Sequence, residues 1–189
     1  MDVSGVFAWC NLHGLLKIIL LALSRKLFLK YVGVRHGNRC RFVNMKPNTF
    51  GSEPYLITLG DHVTVASGVK FITHDGGVWV LREKHPRIDV FKPIVIGSNV
   101  FIGLNSIILP GANVGGDCVI GAGSVVSGTL PGNAVYAGVP ARKIRDLADY
   151  ERDMVGIGLE TKGLPYRQKR KIILHHMLRK GTTGGRGSR

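Results

Sequence analysis

The chain has 189 residues, 44% hydrophobic and 20% charged, with a formal net charge of +14, which is enough to bury one real core without staples. The charge sits at the ends: Met1 to Lys46 carries eight basic residues against one acidic, Pro47 to Ala141 five against six, and Arg142 to Arg189 thirteen against five. No recognition-helix pattern, zinc spacing or aromatic stacking motif accompanies those cations, so no nucleic-acid partner is expected; anionic lipid, a phosphorylated carrier or a nucleotide cofactor would all be attracted. Three cysteines, Cys10, Cys40 and Cys118, are an odd number without ligand spacing. They predict a reduced, cytoplasmic setting and no bound metal.

Residues 1–34 read as an N-terminal amphipathic helical segment. Its helix runs from Leu12 to Lys30, with Leu12, Leu15, Leu16, Ile19, Leu23 and Leu27 approximating one face. The uncharged run Ile18 to Ser24 is far short of the roughly 20 residues a membrane span needs. Two roles fit this helix. It covers the open first turn of the domain that follows, or it lies on the inner face of an anionic membrane with Lys17, Arg25, Lys26 and Lys30 at headgroup level.

Residues 35–141 carry the dominant pattern. Ile96, Ile102, Ile108, Val114, Ile120 and Val126 recur at an unbroken six-residue interval, and Gly97, Gly103, Gly115 and Gly121 directly follow four of them. The fifth position of each hexad is small or apolar: Val100, Ser106, Ala112, Cys118, Ser124 and Leu130. A helix cannot bury such a stripe, because positions six apart face different directions at 3.6 residues per turn. A β-helix places one aliphatic side chain per short flat side, stacked above its equivalents.

The same hexads appear upstream at Leu59, Val65 and Phe71, but Leu59 to Ile96 is one residue more than a multiple of six. The break lies after His74-Asp75-Gly76-Gly77, in a charged, proline-containing stretch. This predicts a loop extruded at one corner over residues 77–93. At eighteen residues per three-sided turn, Leu59 to Gly76, Ile96 to Asn113 and Val114 to Pro131 make three coils, and Gly37 to Thr58 an irregular fourth. Exposed flat faces on such a domain predict a homotrimer.

The pattern stops at Leu130-Pro131-Gly132. Residues 142–165 read as a C-terminal helical segment. Residues 166–189 read as a basic tail without a fixed fold, holding eight Lys or Arg and no acid, with a short helix at Ile172 to Leu178.

Four pieces stand in a familiar order: Phe50-Gly-Ser-Glu-Pro-Tyr-Leu-Ile-Thr-Leu-Gly60, Ile72-Thr-His-Asp-Gly-Gly77, Ile96-Gly-Ser-Asn-Val-Phe-Ile-Gly-Leu-Asn-Ser-Ile-Ile-Leu-Pro-Gly111, and Ile120-Gly-Ala-Gly-Ser-Val-Val126 with Ala137-Gly-Val-Pro-Ala-Arg-Lys-Ile-Arg145. Over Gly37 to Arg145 they resemble the hexapeptide-repeat acyltransferases. Within that family they are most similar to the acetyl-CoA-dependent O-acetyltransferases of surface-polysaccharide biosynthesis. The resemblance implies an all-β solenoid, a left-handed parallel β-helix, with an N-terminal helix and a C-terminal helical, basic extension. It implies acetyl-CoA as co-substrate and a sugar or polysaccharide-precursor hydroxyl as acceptor.

Acyl transfer to an alcohol needs a base for the hydroxyl proton, and a neutral imidazole suits physiological pH. His74, where a coil gives way to the extruded loop, is the expected general base of a direct ternary-complex transfer. Asp75 is a candidate to orient it, and Glu53 and His85 are candidates to support it or to meet the acceptor. The resemblance further implies that the pantetheine arm passes Gly103, Leu104 and Ala122 between subunits, and that Arg142, Lys143 and Arg145 meet the nucleotide phosphates. Two positions depart from the family's habit: Leu104, often small and polar, and Gly128, often lysine. Rival readings are N-acylation of an amino sugar or a xenobiotic, and a non-catalytic β-helix scaffold docking to an anionic surface. No histidine spacing matches the zinc carbonic anhydrases of the same fold.

Overall fold

The computed structural model of the chain describes residues 14–181. Cys10, Leu12 and the final Gly-rich stretch lie outside the described residues. The chain divides into two compact units, 1–150 and 151–189.

In the first unit the hexads become very short strands. In chain order these are β1 (Arg35–His36), β2 (Arg41–Phe42), β3 (Ile57–Leu59), β4 (Thr64–Val65), β5 (Lys70–Phe71), β6 (Ile94–Ile96) and β7 (Val100–Ile102). There follow β8 (Ile107–Ile108), β9 (Asn113–Val114), β10 (Cys118–Ile120), β11 (Val125–Val126), β12 (Thr129–Leu130), β13 (Ala134–Ala137) and β14 (Arg142–Asp146). The chain visits three parallel sheets in rotation: β1-β3-β6-β9-β12, then β2-β4-β7-β10-β13, then β5-β8-β11. From β3 to β12 each strand points at least one large apolar side chain inward, and all of Ile96, Ile102, Ile108, Val114, Ile120 and Val126 are buried in one core. Each such side chain contributes about 1.5–3 kcal/mol.

Fifth-position residues are buried as well, and the polar ones are satisfied. Ser106 Oγ and Ser124 Oγ both donate to Gly121 O, at 3.1 and 2.7 Å, and Cys118 Sγ donates to Gly116 O and Pro131 O. Burial pushes the Cys118 thiol above its ordinary pKa and keeps it protonated. Gly103 shows why glycine follows the inward aliphatic: a Cβ there would stand 2.6 Å from Ala122 N on the next coil.

The three corners of the coil are not alike. Across the first, every turn takes six residues: Thr58 to Thr64, Val95 to Phe101, Asn113 to Val119, Thr129 to Val135. Across the second, Thr64 to Lys70, Phe101 to Ile107 and Val119 to Val125 take six again. The backbone there turns through left-handed residues: Arg39, His62, Asn99, Asp117 and Asn133 at the first corner, Gly68, Asn105 and Gly123 at the second. Asn and Asp tolerate this conformation better than most residues.

From Thr58 onward, all irregularity falls on the third corner, from the third sheet back to the first. Lys70 to Val95 takes 25 residues, Ile107 to Asn113 six, and Val125 to Thr129 four. The first coil, Arg35 to Thr58, exceeds an eighteen-residue turn by five. Thr49 O accepts from Phe71 N at 2.9 Å, which sets Thr49 beside Lys70; with eight residues from Arg41 to Thr49 and nine from Thr49 to Thr58, two of the five extra residues fall at the second corner and three at the third.

The N-terminal segment differs from the continuous helix expected. It is split at Ser24 into α1 (residues 14–23) and α2 (Arg25–Val32), with Ser24 extended and its Oγ accepting from Leu27 N. The core is covered by Phe28, Leu29 and Val32 of α2, not by the stripe Leu15, Leu16, Ile19, Leu23 and Leu27, which is exposed.

At the other end Arg142–Asp146 is a strand where a helical segment is expected. β14 pairs antiparallel with β13, so its backbone is satisfied by the last coil's edge. Helix α3 (Leu147–Ile157) follows. In the second unit α4 (Tyr166–Gly181) is a helix of 16 residues, longer than the Ile172–Leu178 helix expected within an unstructured tail.

Candidate active site at the third corner

The two surpluses at the third corner lie on consecutive coils, and they meet. The first is anchored by Phe50, which is buried and stacks on Phe71 with centroids 5.3 Å apart. Gly51 comes next at φ +65°, where an added Cβ would stand 2.7 Å from Phe71 O. Only glycine lets this segment lie so close to the coil above. Two residues on, Glu53 is held over the start of the second surplus.

There the inward–outward alternation of β5 continues past its last residue: Phe71 inward, Ile72 outward, Thr73 inward, His74 outward. Thr73 is fully buried. Thr73 Oγ1 donates to Glu53 Oε2 at 2.8 Å, and His74 Nδ1 lies 3.1 Å from the same oxygen. An ionised carboxylate only accepts, so this bond assigns the ring proton to Nδ1 and leaves the lone pair on Nε2. The Glu53 side chain is 16% exposed and that of His74 42%. The carboxylate is therefore sheltered, and the imidazole reaches solvent.

The extruded loop closes on itself at its root. His74 bridges Phe91 in antiparallel sense, Asp75 N donates to Val90 O, and Lys92 N donates to Thr73 O. Beyond the root, Asp75 caps a 3-10 turn (Gly76–Leu81) by accepting from Gly77 N. Its carboxylate is thus turned to its own backbone, and Glu53, not Asp75, bonds the imidazole. Arg82 pairs with Asp89 across the loop. The result is a cavity of about 450 Å³ lined by Glu53 and His74 on one side and Trp79, Arg82, Asp89 and Phe91 on the other. His85 lies on the loop, exposed and outside that lining.

Thr73 and Trp79 escape a reading of the sequence alone. The signal for Thr73 is the two-residue alternation from Phe71; for Trp79 and Phe91 it is a pair of aromatics in an otherwise charged loop.

The remaining expected residues stand elsewhere on the coil. Gly103, Leu104 and Ala122 lie at the second corner, where Gly123 N donates to Leu104 O at 2.7 Å and Leu104 is exposed. One chain does not bring them to His74: the two groups flank opposite ends of the third sheet. Arg142, Lys143 and Arg145 lie on β14. Lys143 Nζ bonds Asp146 Oδ1 at 2.7 Å, which raises its pKa and keeps it charged. The Arg145 guanidinium sits over the Tyr150 ring, 4.9 Å from its centroid. Gly128, at φ +68°, is at the shortened third corner of the last coil and faces open space. Among the described residues no three His, Cys, Asp or Glu are grouped to hold a metal, and no helix is long and apolar enough to cross a membrane.

A family model described as the hexapeptide repeat of succinyl-transferase matches residues 93–127, the stretch from β6 to β11. Over 162 residues the chain is 49% identical to protein CapG of Staphylococcus aureus, covering 84% of this chain and 94% of that one. It belongs to the hexapeptide-repeat acetyltransferase family. A second member, galactoside O-acetyltransferase of Escherichia coli, is 40% identical over 100 residues, covering 53% of this chain. The match spans about half of that enzyme, 49% of its length. The maltose O-acetyltransferase structure from Clostridium difficile shares the fold, with a TM-score of 0.50 at 24% identity over 74% of this chain and 85% of that one. This hexapeptide-repeat acetyltransferase carries its longest departure from the repeat at the corner that holds His74.

Proposed function

We propose that the chain is an acetyl-CoA-dependent O-acetyltransferase on a left-handed β-helix, with a sugar or polysaccharide-precursor hydroxyl as acceptor. The observation that carries this is the Thr73–Glu53–His74 chain at the mouth of the 450 Å³ cavity. It is a base with its proton parked on one nitrogen and its lone pair on the other. Trp79 and Phe91 offer aromatic surface to the C–H faces of a sugar, and Arg82 and Asp89 offer polar partners to its hydroxyls. Family membership and the sugar O-acetylation named for the E. coli relative support the same acceptor class.

In the proposed transfer His74 Nε2 takes the proton of the acceptor hydroxyl as its oxygen attacks the thioester carbonyl. The tetrahedral intermediate collapses with loss of the coenzyme A thiolate, which recovers the proton from the imidazolium. Glu53 steadies that imidazolium meanwhile. No enzyme nucleophile is used, and both described cysteines, Cys40 and Cys118, lie outside the cavity lining.

The base and the second-corner glycines flank opposite ends of one sheet. A homotrimer that sets the third corner of one protomer against the second corner of its neighbour completes the site. Gly103, Leu104 and Ala122 then run beside the pantetheine arm and supply backbone donors, and Arg142, Lys143 and Arg145 meet the phosphates.

The test is thiol release from acetyl-CoA against a panel of sugars and amino sugars. His74→Ala keeps oligomeric state and coenzyme A binding but loses about 10²–10⁴-fold in turnover. Turnover within tenfold of the wild type removes His74 from this role. Faster reaction with amines than with hydroxyls replaces O- by N-acylation.

A further inference from the structure

The apolar face of α1 has lost the task its sequence predicts for it. The open end of the coil is covered by Phe28, Leu29 and Val32 of α2, while α1 turns Leu20 and Leu21 toward the core. At 100° per residue, Leu15 and Ile19 fall opposite that pair, Ile18 and Leu23 flank them, and Leu16 lies at the edge, about 40° from Leu20. All five are exposed, Ile18 at 56% and Leu23 at 72%. Five large aliphatics on one outward helix face are more than the scattered exposure of a soluble surface.

The charges beside this face say what covers it. Lys17, Arg25, Lys26 and Lys30 lie in the same segment, Arg35, Arg39 and Arg41 in the first coil after it, and no acidic residue occurs between Asp2 and Glu53. None of the ion pairs among the described residues involves these cations. A second copy of the face would bring like charges together. An anionic bilayer supplies both partners at once: acyl chains for the aliphatic row and headgroups for the cations.

We propose that α1 docks this protein onto the surface of an anionic lipid bilayer, lying in the plane of the interface. Ile18, Ile19 and Leu23 enter the acyl boundary, and Lys26 and Lys30 meet phosphate headgroups. The docking does not depend on acyl transfer.

Sedimentation of the full chain with phosphatidylcholine vesicles, with and without phosphatidylglycerol, tests it. The protein partitions at least tenfold more strongly to the anionic vesicles, and salt weakens the binding. Ile18→Ser with Leu23→Ser lowers partitioning at least tenfold while thermal unfolding stays close to wild type. Lys26→Gln and Lys30→Gln each lower it about fivefold, and they carry the test if the double variant does not fold. Equal partitioning to both vesicle types overturns the proposal. So does wild-type binding by these variants, which moves lipid contact to another part of the chain. A changed sedimentation velocity of the Ser variant without lipid also overturns it, because the face is then an interface between copies.

Discussion

From Thr58 onward the coil turns in six residues at each of its first two corners, whereas at the third it turns in four, six or twenty-five. The regular corners are held from above and below: Asn105 N donates to Ser67 O on one coil, and Leu104 O accepts from Gly123 N on the next. A surplus residue there must give up bonds to both neighbours. At the third corner the surplus is extruded and clamped at its root by Thr73, Asp75, Val90 and Lys92, so the coils on either side stay stacked. Loop length then costs little, because closure entropy grows only slowly with length. Two surpluses on consecutive coils at one corner also place their residues against each other, as Glu53 and His74 are. Regular sides thus supply a rigid mount, and the one corner free of the repeat is where the proposed chemistry lies.

The sharpest way to break this contrast is to lengthen each kind of corner by one residue. A glycine inserted after Asn105 is expected to cost about 2–6 kcal/mol, the penalty for two backbone bonds lost at a stacked corner. A glycine inserted after Glu83, exposed on the extruded loop, is expected to cost under about 0.5 kcal/mol. Urea unfolding of the two variants measures the difference, and equal costs would mean that the corners are equivalent. A smaller effect is expected from Gly51→Ala. With φ +65° and a Cβ 2.7 Å from Phe71 O, the variant loses about 1–3 kcal/mol, and its transfer rate falls because Glu53 is displaced. Wild-type stability and rate in this variant would separate Gly51 from the placement of Glu53.

The regular part of this molecule is written openly in its sequence. The register Ile96 to Val126 reappears as β6 to β11 because each inward aliphatic needs the same slot on the next coil. The slip between Phe71 and Ile96 marks the segment that leaves the repeat. Three features are less legible. The apolar row of α1 has the period of a core-facing helix, and period alone does not say that Phe28, Leu29 and Val32 take the core instead. Arg142–Asp146 is charged on both faces, so no alternation announces a strand whose backbone is paired to β13. Thr73 and Glu53 are polar residues in turn-like surroundings. The contacts of Glu53 with Thr73 and His74 depend on how two coils stack, which is long-range information no local pattern carries.

The central claim is that both surpluses at the third corner build one catalytic unit, with Glu53 acting through His74. A double-mutant cycle in turnover tests it most directly, with coenzyme A binding and oligomeric state checked for each variant. Glu53→Gln is expected to lower turnover about tenfold in the wild type, the loss of roughly one charge-assisted bond of about 1.4 kcal/mol. In the His74→Ala background it is expected to change turnover by less than about twofold. An equal tenfold loss in both backgrounds would contradict the account, because Glu53 would then act on the acceptor or on the fold without the histidine.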